Sequence, residues 1–311
     1  MTLKFMEQTP LKPELMTCPH CGEEKRIGVH SHQERRYICH RCGRTFSETK
    51  GRVFFGLHYP IWVVVLMLTL LAYGCPVAAI VAAFFIDERT VLAWLHKAGQ
   101  HGKVVQDQVV CNGQVELGQV QADELWVKVQ GGKVWIATAM SVFSRLFLWG
   151  EVPPKRDKSL IKRLMGKVRE AASSVTQAVL IAVDGFAAYP KAALQTFYTK
   201  LYTGRPGRPR HLPWPDLHIV PVLKHYSGRK LKSISRRLVY GSLARRTRGL
   251  ARTAQRLEDD LFWCGVVYNF CAIHTSLGST PAVAAGLIDH VWSVKELLRL
   301  RLPNQPLHAI V

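Results

Sequence analysis

Two Cys-x2-Cys pairs, Cys18/Cys21 and Cys39/Cys42, separated by 17 residues, constrain this chain more than any other feature. Each pair can sit on a tight turn that points two thiolates to one side. Two such turns close a tetrahedral four-sulfur shell, the ligand set of structural zinc. Gly22 and Gly43 each follow the second cysteine of a pair, where the backbone must bend to turn its amides towards sulfur. His30, His32 and His40 lie between the pairs and are spare once four thiolates are counted. A redox role is the alternative for one pair alone; two pairs at this spacing in a basic context favour metal. Cys75, Cys111, Cys264 and Cys271 are scattered, mostly among apolar neighbours, and read as small core residues. The pattern predicts a zinc ribbon over residues 17–52, after a leader at 1–16.

Charge narrows the partners. The chain carries 42 Lys and Arg against 22 Asp and Glu, a net charge of +20 over 311 residues. A field of that sign favours polyanions, either nucleic acid or an anionic membrane surface. Between Lys224 and Arg256 the basic residues are dense, and no acid occurs between Asp216 and Glu258, so this run is expected to meet phosphates. The N-terminal residues lack the apolar run of a secretion signal, and the cysteines suit a reducing cytoplasm. One segment opposes this reading: Tyr59 to Ile86 holds no charged residue. It reaches the length of a membrane span, about 20 residues, only by crossing Gly74-Cys75-Pro76. Two helices, 61–73 and 77–85, with a tight turn between them are therefore expected instead of a span.

A third helix is expected from a cap at Asp87 to a stop at Gly99, which makes 58–100 the outline of a helix-turn-helix unit. Periodicity alone fits a plain helical bundle equally well. From residue 119 the pattern changes. Alternating or apolar runs at 120–129, 133–141 and 145–152 read as a strand meander that ends at Pro153-Pro154. An amphipathic helix at 158–172 and a continuous apolar strand at 178–183 follow. Three meandering strands, a helix and a parallel fourth strand define an α/β fold with a mixed sheet of the ribonuclease-H type, assigned to residues 115–298. Beyond it, 189–200 is expected to be helical, 204–215 a Pro-rich loop, 219–223 a fifth strand and 243–273 a long helix, with a tail at 299–311. Trp126, Trp135 and Trp149 on the meander read as core residues.

In so basic a chain, acids at strand positions in apolar surroundings need an explanation. Asp123 lies in the first strand, and Asp184 directly follows the buried strand AVLIAV. If the first and fourth strands are neighbours, both carboxylates arrive at one place, where they can hold Mg²⁺ or Mn²⁺ through hard oxygen ligands and support phosphoryl transfer. Alternatively, each Asp caps a neighbouring turn, a real competitor for Asp184 because Gly185 follows it. Glu124 is expected on the opposite face from Asp123, in solvent.

The ribbon CPHCG…RRYICHRCGRTFSET, the stretch YGCPVAAIVAAFFIDERTVLAWLHKAG, QADELW, VDGFAAYP, RRLVYGS and YNFCAIHTSLGSTPAVAAGLIDHVWS occur here in a joint order. In that order the chain resembles the insertion-sequence-one-like group of bacterial DDE transposases. The resemblance covers most of residues 17–298. It implies a ribonuclease-H-like catalytic domain behind a zinc ribbon and a helix-turn-helix, which bind the terminal inverted repeats of a mobile element. It also implies DNA cleavage and strand transfer by a homo-oligomer on DNA, associated with the nucleoid, with Asp123 and Asp184 as the first two metal-binding carboxylates. The family's third acid, a Glu in a helix after the RRLVYGS-like segment, is not found in its usual context. The nearest acids are Glu258, Asp259 and Asp260, of which Glu258 is the candidate. A site lacking the third acid would bind metal weakly and cleave poorly, which leaves a non-catalytic DNA-binding regulator as the competing expectation.

Overall fold

Apolar residues alternate with polar ones on either side of the cysteine pairs, and a small sheet forms there. The computed structural model describes residues 13–32, 35–47, 49–50, 53–57, 59–112, 114–129, 132–152, 158–172, 179–184, 188–202, 208–222, 225–227, 230–233 and 253–300. The chain divides into two units, Met1–Ile61 with Leu298–Val311, and Trp62–Leu297. In the first, β1 (Ile27–Ser31), β2 (Arg36–Cys39) and β3 (Thr45–Ser47) form an antiparallel sheet in that order. Tyr37 and Phe46 are paired across β2 and β3, with stacked rings 5.7 Å apart. With Met16, Cys18 and Cys39 they make a five-residue buried core.

The second unit opens with α1 (Ile61–Ala72), α2 (Val77–Phe84) and α3 (Glu88–Val105). The charge-free stretch breaks where expected: Gly74 and Cys75 N–H close α1 onto the carbonyls of Leu71 and Leu70, and Pro76 caps α2. Among the described residues no helix is long and apolar enough to cross a membrane. α1 buries Val64, Met67, Leu68 and Leu71 and shows Trp62 and Leu66 on its outer side. Asp87 caps α3 as expected, its Oδ1 accepting from Arg89 N–H at 2.8 Å.

Gly99 does not end α3, which continues six residues further to Val105. Its role is packing. A Cβ at Gly99 would lie 2.5 Å from the Asp259 Cα, and one at Gly102 would lie 3.0 Å from Val266. The two glycines form a notch that lets the later helix Ala254–Phe270 come close. At the end of α3 the helix widens into a π turn at Gln106–Cys111.

There follow β4 (Gly118–Val129), β5 (Gly132–Ser141), β6 (Phe147–Glu151), α4 (Lys158–Ala171), β7 (Val179–Asp184), α5 (Ala188–Thr196), β8 (Tyr198–Leu201), β9 (Arg210–Pro213), β10 (Leu217–Val222), β11 (His225–Ser227), β12 (Lys230–Ser233), α6 (Ala254–Phe270), α7 (Pro281–Ala284) and α8 (Val294–Arg299). The five-stranded sheet runs β10-β7-β4-β5-β6. β4, β5 and β6 are an antiparallel meander; β7 is parallel to β4, and β10 to β7. Counted by order of appearance and read from β6, the strands lie 3-2-1-4-5.

Three readings change. The helix expected at 189–200 ends at Thr196, because Tyr198–Leu201 pairs instead with Arg210–Pro213, which makes a strand of part of the Pro-rich loop expected at 204–215. Trp126 is 51% exposed, at the outer end of the β4–β5 hairpin, with the Lys133 ammonium 4.4 Å from its ring centroid. Trp149 is buried as expected. Of the helix expected at 243–273, the described part is Ala254–Phe270; most of the basic run before it, with the leader's first twelve residues and the tail from 301, lies outside the described residues.

α6 ties the unit together. One side sets Leu257 and Leu261 against Val127, Val134, Ile136 and Phe147 of the sheet, with Leu125 and Ala254 at the margin. Another side meets α3. There the Asp259 carboxylate, 4% exposed, lies 2.8 Å from His96 Nδ1 and accepts from Gln100 Nε2 at 2.9 Å. Near its C-terminal end the buried Asn269 clamps edge strand β6. Its Oδ1 accepts from Phe147 N–H (2.9 Å), and its Nδ2 donates to Phe147 O (2.8 Å) and Gln106 Oε1 (3.1 Å). Gln106 in turn donates to the Phe147 and Leu148 carbonyls. The π turn starts at the residue that makes this clamp, which occupies backbone groups of a strand otherwise open at its edge.

Candidate metal centre and carboxylate pair

The four cysteines meet. One sulfur from each of Cys18, Cys21, Cys39 and Cys42 lies within 4.8 Å of all the others, and this is the only such group among the described residues. Cys18 and Cys42 sulfurs are 3.7 Å apart, Cys21 and Cys39 sulfurs 3.6 Å. Zinc–sulfur bonds of about 2.3 Å place the corners of a tetrahedron about 3.8 Å apart, so the cluster fits a structural zinc.

Two matching knuckles produce this spacing. Gly22 N–H donates to Cys18 O (3.0 Å) and Cys18 N–H to Glu23 O (2.8 Å); Gly43 N–H donates to Cys39 O (2.8 Å) and Cys39 N–H to Arg44 O (3.0 Å). Both turns require positive φ, +72° at Gly22 and +68° at Gly43, a region that other residues enter with strain. The space around both is open, so backbone conformation alone demands glycine there.

Crowding splits the thiols' acidities. Burial opposes ionisation of Cys39, but the backbone N–H groups of Cys42 and Arg41, with the Cys21 and Cys18 thiols, outweigh it and bring the thiol down to about 7. At Cys21 the backbone N–H of Glu23 favours the thiolate; burial and the bonds to Cys39, Cys18 and Cys42 override it and push the thiol up to about 12. The Cys39 thiolate is thus stabilised at the expense of Cys21. A cation at the centre removes that conflict. No histidine joins the cluster among the described residues. His20 turns its Nε2 towards Lys50 Nζ at 3.2 Å, and burial followed by the charges of Lys50 and Arg44 holds its pKa below the usual value.

The second candidate site lies on the sheet. β4 and β7 are adjacent and parallel, and their register ends at Ala122↔Val183. The next residue in each strand is an aspartate, Asp123 in β4 and Asp184 at the end of β7. Neighbouring positions on parallel strands are about 5 Å apart. Asp123 is partly buried, and its Oδ1 accepts from Glu124 N–H at 2.9 Å. Glu124 is partly buried as well, in contrast to the solvated position expected for it.

Glu258 goes elsewhere. Its carboxylate is held by Lys103 of α3 at 2.6 Å, and the α6 residues set against the sheet (Ala254, Leu257, Leu261) are apolar. Asp259 is committed to His96 and Gln100. Asp260 is pushed up to about 7, chiefly by burial, with Asp259 adding to the shift and Arg256 opposing it. The Asp259 network and the Asn269 clamp were not read from the sequence; an acid triplet immediately after a long acid-free stretch was the available signal for the first.

Among the known proteins compared with this chain, no family model and no curated sequence matches it.

Proposed function

We propose that the protein is a DDE-class transposase of an insertion sequence, which grips DNA through its zinc ribbon and helical segment and carries out phosphoryl transfer at Asp123 and Asp184. One observation carries the reading: an aspartate follows the last registered residue on each of two adjacent parallel strands, in a chain that also holds a four-cysteine cluster and a net charge of +20. The strand order 3-2-1-4-5, with a helix between the third and fourth strands, supports a ribonuclease-H-like domain. The pair α2 and α3, joined by a short turn capped at Asp87, supports a helix-turn-helix. Double-stranded DNA, both element ends and target, is the partner in this reading, and a homo-oligomer in the nucleoid is the working form.

In this role Asp123 and Asp184 would hold Mg²⁺ or Mn²⁺, which would supply Lewis-acid assistance to attack on a phosphodiester. The residues' own contribution is to supply hard oxygen donors from rigid strands, so that little reordering accompanies binding. With Glu258 engaged by Lys103, the site has two acids, and a pair binds such ions less tightly than a triad. DNA binding is therefore expected to outlast cleavage as metal is lowered.

The test is strand transfer on the DNA flanking the coding sequence, with Mg²⁺ or Mn²⁺. Asp123→Asn should abolish product while leaving salt-dependent DNA binding unchanged. The engagement of Glu258 favours one other reading, a non-catalytic DNA-binding regulator. Binding without product in the parent protein at any metal concentration would select it.

A further inference from the structure

Between β7 and β10 the chain makes an excursion that the sheet does not require. Residues 188–215 contain five Lys or Arg and no acid. Within them β8 and β9 form a separate two-stranded antiparallel ribbon. Its base is braced. The Phe197 and Trp214 rings meet edge to face at 5.2 Å, Trp214 N–H donates to Phe197 O at 3.1 Å, and Arg169 Nη2 donates to Tyr198 O at 3.2 Å with its guanidinium 5.5 Å from the Trp214 ring. Beyond this base the ribbon is bare. Thr199, Lys200, Leu201 and all of Arg210–Pro213 are exposed, and Tyr202 is 74% exposed.

An isolated hairpin is marginal in water, and nothing apolar is gained by holding one out on both faces. Its side chains are the material of a nucleic-acid grip. Lys200 stands directly across from His211, which stacks on Tyr198 at 3.8 Å; Arg210 stands across from Leu201 on the other face. A cation is therefore presented to each side. A two-stranded ribbon is also narrow enough to enter the major groove of B-form DNA, about 12 Å wide, with phosphates flanking both of its faces.

We propose that the β8–β9 ribbon is a DNA-gripping arm that enters a duplex groove, with Lys200 and Arg210 neutralising phosphates on its two sides. This rests on the DNA-binding reading above and adds to it a contact surface outside the zinc ribbon, the helical segment and the carboxylate pair.

The test measures the affinity of the full-length, zinc-loaded protein for a labelled duplex over a range of salt concentrations. Each phosphate contact contributes about 0.9 to the slope of log affinity against log salt, so Lys200→Gln/Arg210→Gln should lower that slope by about 2 and weaken binding roughly tenfold at moderate salt. Lys200→Arg/Arg210→Lys should keep the parent slope. Lys133→Gln, which removes an exposed cation from the β4–β5 hairpin, should leave it unchanged. Thermal unfolding and zinc content should be the same in all variants, since both ribbon side chains are exposed. An unaltered slope in the Gln pair, or an equal loss in Lys133→Gln, overturns the arm while leaving the DNA-binding reading intact. Failure of the parent protein to bind duplex DNA removes the reading itself.

Discussion

The two units of this chain are held by different means. Among the described residues the core cluster of the ribbon holds five buried residues, Met16, Cys18, Tyr37, Cys39 and Phe46, and two of these are cysteines. So small an apolar cluster gives little hydrophobic support, and the four-cysteine group can hold a metal that adds to it. The unit at Trp62–Leu297 has a sheet packed by α6 and fastened by buried directional bonds at Asp259 and Asn269. In the first case one four-cysteine cluster, able to hold a single ion, lies at the centre. In the second, many contacts share the task, and buried polar groups set which helix meets which.

The sharpest way to break this comparison is to remove the metal. Chelation, or Cys39→Ser, should unfold the ribbon outright, since structural zinc in small modules contributes about 10 kcal/mol or more. The second unit should keep its cooperative melt. Two transitions by calorimetry, with only one sensitive to chelator, would establish the difference; a single transition lost as a whole would erase it. Zinc affinity should also weaken as pH falls through the Cys39 value of about 7, because protons then compete for the thiolate.

Next in size is Asn269→Ala. It removes the Asn269 bonds to Phe147 N–H, Phe147 O and Gln106 Oε1 from a buried region, at a cost of about 2–4 kcal/mol by urea unfolding, with zinc content unchanged. Gly99→Ala tests the helix notch. Its Cβ would meet the Asp259 backbone at 2.5 Å, so α3 and α6 must separate, and a loss of about 1–3 kcal/mol is expected despite alanine's better helix propensity. A neutral or stabilising result would mean that the helices can shift apart freely.

A further effect depends on pH. Asp260 is raised to about 7 by burial, so between roughly pH 4 and 7 the folded state holds a proton that the unfolded state has released. Stability therefore falls as pH rises through this window, and the penalty is complete above it. Asp260→Asn should raise the melting temperature at pH 8 and have little effect near pH 4. An equal gain at both pH values would point to packing instead of charge.

Local chemistry was the readable part. The Cys-x2-Cys spacing with a glycine after each pair specified the knuckles, because a metal shell depends on ligand spacing and on one positive-φ residue in each turn. The break at Gly74-Cys75-Pro76, the cap at Asp87 and the β4–β5–β6 meander were also legible, since each arises from neighbours within a few residues. So was the suggestion that Asp123 and Asp184 share a place, although it rested on the condition that strands one and four are adjacent. Only the tertiary structure met that condition, by pairing residues of β4 and β7 that lie 61 positions apart in sequence. It also decided what periodicity cannot address. Gly99 is a helix notch instead of a stop, Trp126 lies outside the core, Glu258 turns to Lys103, and half of an expected helix end becomes a ribbon strand. Each outcome depends on a partner distant in sequence, and local patterns carry no information about which partner arrives.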